Sequence, residues 1–296
     1  MAAPVWINGR LVSADEAHVS FFDMGFQLGD GVYEMISTRD GVMFRLDDHL
    51  DRLDASMHAT RILPKMSRDE WRGAVLDATR ASGLADAGTR IIVTRGVPPP
   101  GTTDIRAATP NVLMGVTPYA YLANDDLRKR GIKLQIAQQR GMPADTLDPR
   151  YKHISRLQYQ LARIEAAEAG YDDLVWLAHD GTVQETPRSN IFMVKKGTLY
   201  TPGAGVLRGI TRLTLCEVAT ALGIPVQVGA ITAFDLFVAD EIFTCSTSGA
   251  ALAVREVSGR PVMGSVPGPV MTQLNEAYWT LRASGKYGTR VFAKQA

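Results

Sequence analysis

An α+β fold in two domains is what this chain predicts, and three observations carry that expectation. Strand-like and helix-like segments follow one another without the regular alternation that a doubly wound sheet requires. The patterning changes over Thr117 to Asn124, where a domain junction belongs. At 296 residues the chain is long enough for two modest cores. The expected division is residues 1–118, a linker at 119–125, and residues 126–296.

Val5 to Ile7 reads as a short strand turning at Asn8-Gly9 into Leu11-Val12, since Asn-Gly suits a tight hairpin turn. Val32 to Thr38 alternates in strand fashion, then Asp40-Gly41 turns it into Val42-Met43-Phe44. Leu46, Leu50, Leu53 and Met57 recur at steps of four, three and four. That is one apolar face of a helix, with Asp47 as its expected cap. A second helix is predicted over Arg68 to Ser82, ending near Gly83. Arg90 to Thr94 and Val112 to Val116 read as strands. Gly96-Val-Pro-Pro-Pro-Gly101 between them reads as a loop, because proline cannot donate to a central ladder.

The second half opens with a strand at Lys133 to Gln138 and a helix from about Ser155 to Ala169. Leu174 to Leu177 and Thr182 to Glu185 form a hairpin around His179-Asp180-Gly181. Ile191 to Val194 and Leu199-Tyr200 flank a Lys196-Gly197 turn. A helix from Thr211 to Leu222, strands at Val226 to Val228 and Glu241 to Thr244, and a helix over Pro269 to Ala283 complete the pattern.

Composition narrows the function classes. Apolar residues make up 46% and charged residues 21%, as in ordinary soluble proteins. Lys plus Arg (32) nearly balances Asp plus Glu (31), so no basic excess argues for nucleic acid. Cys216 and Cys245 have no ligand-like spacing, so neither a metal nor a disulfide framework is expected. The start, Met-Ala-Ala-Pro-Val-Trp, lacks signal-peptide character, and no apolar run reaches membrane-spanning length. A cytoplasmic location is the expectation.

Three segments carry chemistry together. Lys152 stands where a loop meets a predicted helix, with Arg150, His153 and Arg156 as a local cationic setting. Most lysines are solvated, but one that forms a Schiff base must lose its proton readily, which burial and nearby cations promote. Glu185 ends a predicted strand, and Asn190 five residues on is either a turn residue or a brace for the same loop. Gly209-Ile210-Thr211 opens a helix, where a glycine, outward N–H groups and a hydroxyl suit an anion as well as they suit a plain cap. Ser246-Thr247-Ser248-Gly249 offers further donors, and Arg52 lies on the helix face away from the Leu46/Leu50/Leu53/Met57 stripe. An amine, a carboxylate and a phosphate-sized anion site are what a pyridoxal phosphate enzyme needs.

In order along the chain, these segments resemble the class IV aminotransferases, the fold-type IV group of pyridoxal phosphate enzymes. Asp23-Met-Gly-Phe-Gln-Leu-Gly-Asp-Gly-Val-Tyr-Glu34 is similar to the opening of D-amino-acid aminotransferases. His49-Leu-Asp-Arg-Leu53 resembles the group's phosphate-arginine helix, and Lys152-His-Ile-Ser-Arg-Leu157 its lysine segment. Glu185-Thr-Pro-Arg-Ser-Asn190 resembles the ring-nitrogen segment; Leu207-Arg-Gly-Ile-Thr-Arg212 and Ser246-Thr-Ser-Gly249 resemble the phosphate loops.

The resemblance implies a small N-terminal α+β domain, a larger C-terminal mixed barrel-like domain, and a homodimer. It implies that Lys152 carries pyridoxal 5'-phosphate as a Schiff base and that Glu185 pairs with the ring nitrogen. Arg52, Ile210, Thr211 and Thr247 would hold the phosphate; Tyr33, Arg90, Arg95, Ser248, Gly249 and Ala250 would border the substrate. The implied reaction moves an amino group to a 2-oxo acid through a pyridoxamine intermediate, without nucleic acid or membrane partners.

Subfamily features point in different directions. Where D-amino-acid aminotransferases place an Arg and a His, this chain has Val97-Pro-Pro-Pro-Gly-Thr102. Arg90 falls where branched-chain aminotransferases have a substrate-side arginine and aminodeoxychorismate lyases a lysine. Ala239 to Gly249 and Val266-Pro-Gly-Pro-Val270 are most similar to (R)-selective amine transaminases. The expectation is an R-configured donor, a D-amino acid or (R)-amine. A branched-chain L-amino-acid aminotransferase is the alternative, and an aminodeoxychorismate lyase a more distant one.

Overall fold

The computed structural model describes residues 3–292, and the chain divides into two compact units. Among the described residues, the first contains 3–120, Tyr151–Arg156 and 285–292. The second contains Tyr121–Arg150 and Leu157–Ser284. Local patterning cannot signal the two short returns to the first unit, because they are made by pairing with strands far away in sequence.

In the first unit β1 (Val5–Ile7), β2 (Arg10–Val12), α1 (Met24–Leu28), β3 (Gly31–Arg39) and β4 (Val42–Phe44) precede α2 (Leu46–Thr60) and α3 (Arg68–Ala81). β5 (Ala87–Val97) and β6 (Thr109–Pro118) follow. The sheet is antiparallel, in the order Gly288–Arg290, β4, β3, β5, β6, β1, β2. Val32 and Ile36 of β3 and Ile91 and Val93 of β5 share a core with Leu50, Leu53 and Met57 of α2 and Trp71 and Val75 of α3. Alternation therefore puts Tyr33 and Arg90 on the opposite face of the sheet.

Two local expectations are corrected. α2 begins at Leu46 behind Arg45, which is left-handed at φ 51 and provides no side-chain cap. Asp47 lies in the first turn instead and pairs with Arg68 and Arg72 of α3. β5 also runs into the predicted loop as far as Val97, and its ladder with β6 shifts between Thr94 and Val97. Gly96 permits this bulge: it has φ +82, and a Cβ there would lie 1.7 Å from the Thr109 carbonyl oxygen.

The second unit contains α4 (Asp125–Arg130), β7 (Ile132–Ile136), α5 (Ala144–Leu147), α6 (Leu157–Glu168), β8 (Asp173–Val175), β9 (Asn190–Lys195) and β10 (Thr198–Pro202). α7 (Ile210–Ala221), β11 (Val226–Gly229), α8 (Ala233–Phe237), β12 (Glu241–Ser246), β13 (Ala250–Val257), β14 (Arg260–Pro261) and α9 (Pro269–Ala283) follow. The mixed sheet runs β11, β10, β9, β12, β13, β7, β8, with β13 a strand that the sequence reading did not anticipate. Its two ends are drawn together by the segment around Glu185. Beside β8 the Trp176 N–H donates to the Glu185 carbonyl at 3.1 Å and the Gln184 N–H to the Trp176 carbonyl at 2.8 Å, and the Val183 N–H donates to the Ile231 carbonyl just after β11 at 2.7 Å. Ile132, Leu134, Val175, Val183, Ile191, Ile231, Ile242 and Val254 share one core, giving the sheet its barrel-like interior. α7 and α9 pack against β12. Among the described residues no helix is long and apolar enough to cross a membrane.

Candidate active site

Lys152 lies on an extended segment; α6 starts five residues later. The segment joins the edge of the first unit's sheet through its backbone. Tyr33 N–H donates to the Lys152 carbonyl at 2.7 Å, Ile154 N–H to the Gly31 carbonyl at 2.9 Å, and Lys152 N–H to Ser56 Oγ at 3.3 Å. Gly31 makes room, since a Cβ there would sit 2.9 Å from Ile154 Cδ1. The half-buried Lys152 side chain places Nζ 4.5 Å from the centre of the Tyr33 ring. The exposed Arg90 guanidinium stands 5.6 Å from the same ring. The Lys152 cation, joined by Arg156 and Arg90, holds the Tyr33 phenol below its usual pKa although burial acts the other way.

The cationic setting expected around Lys152 is thereby redrawn. Burial pushes the His153 imidazole down to about 4, with Arg156 and Lys152 adding to the effect, so His153 is neutral near pH 7. Arg150 belongs to the second unit and pairs with Asp148. Arg95 is engaged elsewhere: it forms a two-pronged pair with Asp30 and donates to the carbonyls of Thr60 and Arg61 at the end of α2. Of Arg90 and Arg95, it is therefore Arg90 that accompanies Tyr33 and Lys152.

Glu34 and His49 form a buried charge system around Arg52. Glu34 is fully buried, with its carboxylate between His49 Nδ1 and Arg52, whose Nη2 approaches Oε1 at 2.7 Å and Oε2 at 2.9 Å. Burial alone would raise the Glu34 pKa, but Arg52, His49 and Lys152 together hold it at about 2. Burial, with Arg52 and Lys152 nearby, keeps His49 below its usual value despite the carboxylate. A neutral His49 donating through Nδ1 fits this arrangement.

In the second unit Glu185 is nearly buried, and its Oε2 accepts from Asn190 Nδ2 at 2.8 Å and from the Leu207 N–H at 3.0 Å. Thr186 Oγ1 accepts from the N–H groups of Arg188 and Ser189, and Arg188 pairs with the buried Asp173 at 3.2 Å. The loop carrying Glu185 is thus anchored at several points. α7 begins at Gly209 with no side-chain cap, so the N–H groups of its first turn are left for an anion. Ile210 and Thr211 are buried beside it, and the Thr211 side chain hydrogen-bonds Tyr278.

Thr247 lies in the turn between β12 and β13, where Ser246 Oγ accepts the Ser248 N–H at 3.2 Å. The Leu122 N–H donates to the Ser248 carbonyl, and Gly249 at φ +123 lies against the Tyr121 ring. Ser248, Gly249 and Ala250 line a cleft of about 250 Å³, open side included, with Tyr121 and Arg128.

The expected residues thus form two sets, with Tyr33, Arg52, Arg90, Arg95 and Lys152 in the first unit and Glu185, Ile210, Thr211, Thr247, Ser248, Gly249 and Ala250 in the second. The residues present fit pyridoxal phosphate. The second set holds a buried carboxylate fixed by two donors and an uncapped helix start behind a glycine; the first holds an amine on a braced strand edge. Sequence reasoning missed Glu34, His49, Ser56, Leu207 and Tyr121. A signal existed for two of them. Glu34 takes a core-side place between Val32 and Ile36, and His49 lies one helical turn from Arg52. A carboxylate in an apolar alternation calls for a buried partner.

These features define a pyridoxal-phosphate enzyme of the two-domain α+β type. Residues 31–257 match the amino-transferase class IV family. A putative branched-chain-amino-acid aminotransferase of Methanocaldococcus jannaschii is 35% identical over 290 residues, covering 97% of this chain and 99% of that protein. A D-alanine aminotransferase of Bacillus licheniformis is 30% identical over 281 residues, covering 92% and 95%. The crystal structure of the branched-chain aminotransferase from Thermoproteus uzoniensis with norvaline superposes with a TM-score of 0.91 at 29% identity, covering 99% of this chain and 100% of that one. The chain belongs to the class IV aminotransferases and is a pyridoxal-phosphate-dependent enzyme.

Proposed function

We propose that the enzyme moves the amino group between a branched-chain or similar apolar L-amino acid and a 2-oxo acid. One observation carries this choice: Arg90, at the position where branched-chain aminotransferases have a substrate-side arginine, flanks Tyr33 together with Lys152, whereas Arg95 is committed to Asp30 and α2. The likeness to the putative branched-chain aminotransferase of Methanocaldococcus and the branched-chain aminotransferase of Thermoproteus supports it. The R-configured donor expected from sequence is the second reading, favoured by the Asp23–Glu34 opening and the D-alanine aminotransferase relative.

Pyridoxal phosphate supplies the aldehyde and the electron-poor ring. Lys152 would hold it through Nζ and would move the proton at the donor Cα. Glu185 would pair with the ring nitrogen. Ile210 N–H, the Thr211 and Thr247 hydroxyls and Arg52 would hold the phosphate. Arg90 pairs with a substrate carboxylate, and Tyr33 with Ser248, Gly249 and Ala250 borders the substrate.

A panel of donors of both hands with 2-oxoglutarate tests the reading. L-leucine and L-valine are expected to outpace D-alanine and (R)-1-phenylethylamine; the reverse order would establish the R-donor reading instead. Arg90→Ala should raise KM for the amino acid by about ten- to a hundredfold with unchanged thermal stability. Arg95→Ala should instead lower the unfolding midpoint, because it unties α2 from Asp30.

We also propose that the enzyme works as a homodimer. Phe21 packs against both Phe22 and Phe26, yet all three are about two-thirds exposed (67%, 66% and 68%), next to Leu28 at 69%. Such an apolar cluster favours a protein partner over water. Sedimentation should give twice 32.2 kDa, and replacing Phe21, Phe22 and Phe26 by serine should shift it towards the monomer.

A further inference from the structure

We infer that Asn190 is a positioning residue that joins the ring-nitrogen carboxylate and the start of the phosphate helix into one rigid unit. Asn190, first residue of β9, is buried, and its backbone is fixed in the ladder opposite Cys245. Its Nδ2 uses its two hydrogens on different elements: one goes to Glu185 Oε2 at 2.8 Å and the other to the Leu207 carbonyl at 2.9 Å. The Leu207 N–H closes the ring on Glu185 Oε2 at 3.0 Å. The Leu207 carbonyl also accepts the Gly209 N–H at 2.8 Å, and Gly209 is the residue from which α7 springs. A shift of the Glu185 carboxylate therefore moves the turn that leads into α7, and the converse holds.

Gly209 has a second task in this arrangement. Its φ is an ordinary −67, so backbone freedom does not explain the glycine. A Cβ there would lie 1.9 Å from Asn190 Oδ1 and 3.1 Å from its Cγ. The glycine is the space into which the Asn190 amide fits. Because Oε2 is tied to two donors on different elements, the carboxylate is held in one orientation. The inference rests on Glu185 facing the ring nitrogen, as proposed above, and is independent of donor preference.

The test uses cofactor binding by the full-length protein. Wild type, Asn190→Ala, Gly209→Ala and the double variant are stripped of cofactor and titrated with pyridoxal phosphate carrying a nitrogen-15 label in the ring. In the wild type the ring-nitrogen resonance is expected at the protonated pyridine position. Asn190→Ala should move it towards the unprotonated value and weaken cofactor binding by about tenfold or more, the scale of a lost hydrogen bond to a charged group. Gly209→Ala should move both readouts the same way by displacing the amide, and keeps the idea testable if Asn190→Ala fails to fold. The double variant should be no worse than Asn190→Ala alone, since no amide remains to be displaced. Additive losses, or an Asn190→Ala enzyme with a protonated ring and unchanged affinity, would overturn the coupling. An unprotonated ring nitrogen in the wild type would overturn the role of Glu185 and the coupling with it.

Discussion

Lys152→Ala is expected to lower kcat/KM for transamination by about a thousandfold or more, the scale of losing both a nucleophile and its proton transfer. The visible absorbance of the bound cofactor should disappear with it. The fold should survive, because the segment is tied to β3 by the backbone groups of Lys152, Tyr33, Gly31 and Ile154 and to α2 by Ser56. The half-buried side chain meets that scaffold through Nζ over the Tyr33 ring, a contact worth only about 0.5–1 kcal/mol, so the unfolding midpoint should shift little. Stopped-flow spectra and circular dichroism of the same sample separate the two effects. A variant that still exchanges amino groups at the wild-type rate would sink the assignment of the lysine.

Glu34→Gln is expected to cost about 3–5 kcal/mol of stability, the price of breaking a buried ion pair from one side. The amide would leave the Arg52 guanidinium, only 10% exposed, without its carboxylate, and would disturb the Nδ1 donation from His49. Urea unfolding of wild type and variant measures the difference. Its pH dependence has a definite sign. The Glu34 carboxyl sits at about 2 in the folded chain against an ordinary 4.5. The pair's contribution is therefore fully present above about pH 4.5 and fades as the pH falls from there through about 2. A shift of that size corresponds to roughly 3 kcal/mol, in line with the mutational figure. A difference that stays constant from pH 6 to pH 3 would show that the carboxylate is not held this way. Arg52 should also lose its orientation, so weaker cofactor binding is expected alongside the lower stability.

The two results bear on different layers of the molecule. Lys152 is a chemical group on a scaffold that does not need it, whereas Glu34 belongs to the scaffold that aims another group. Sequence reasoning proposes residues of the first kind readily. Lys152, Glu185 and Thr211 are residue types that chemistry requires, within motifs of recognisable spacing. It passed over most of the second kind, because the partners of Glu34 lie one helix away and one partner of Glu185 lies on the Leu207 turn; Asn190, five residues from Glu185, was within reach of local reading as a brace. Arg95 is the converse case: it stood beside Arg90 as a candidate for the substrate, and its pairing with Asp30 and the end of α2 gives it a structural task.

Elements were legible where one short-range signal dominated. The four-three-four leucine spacing located α2, and the period-two run before Asp40-Gly41 located β3. They were misjudged where a distant contact won. β5 runs on past Thr94 because Gly96 lets the strand bulge against Thr109. α6 starts at Leu157 and not at Ser155, whose hydroxyl donates to the distant Gly29 carbonyl at 2.7 Å. β13 escaped notice because its neighbours β12 and β7 supply the order that its own sequence signals weakly.

By itself, the sequence determined the family and the cofactor, and it singled out Lys152 as the lysine proposed to react, since these depend on side-chain chemistry and on spacing along the chain. Only the tertiary structure decided that Lys152 belongs to the N-terminal unit, that Arg90 accompanies it while Arg95 does not, and that Asn190 and Gly209 are fitted to each other. Each of those outcomes is a competition among partners distant in the chain, settled by distance and burial that no local pattern encodes.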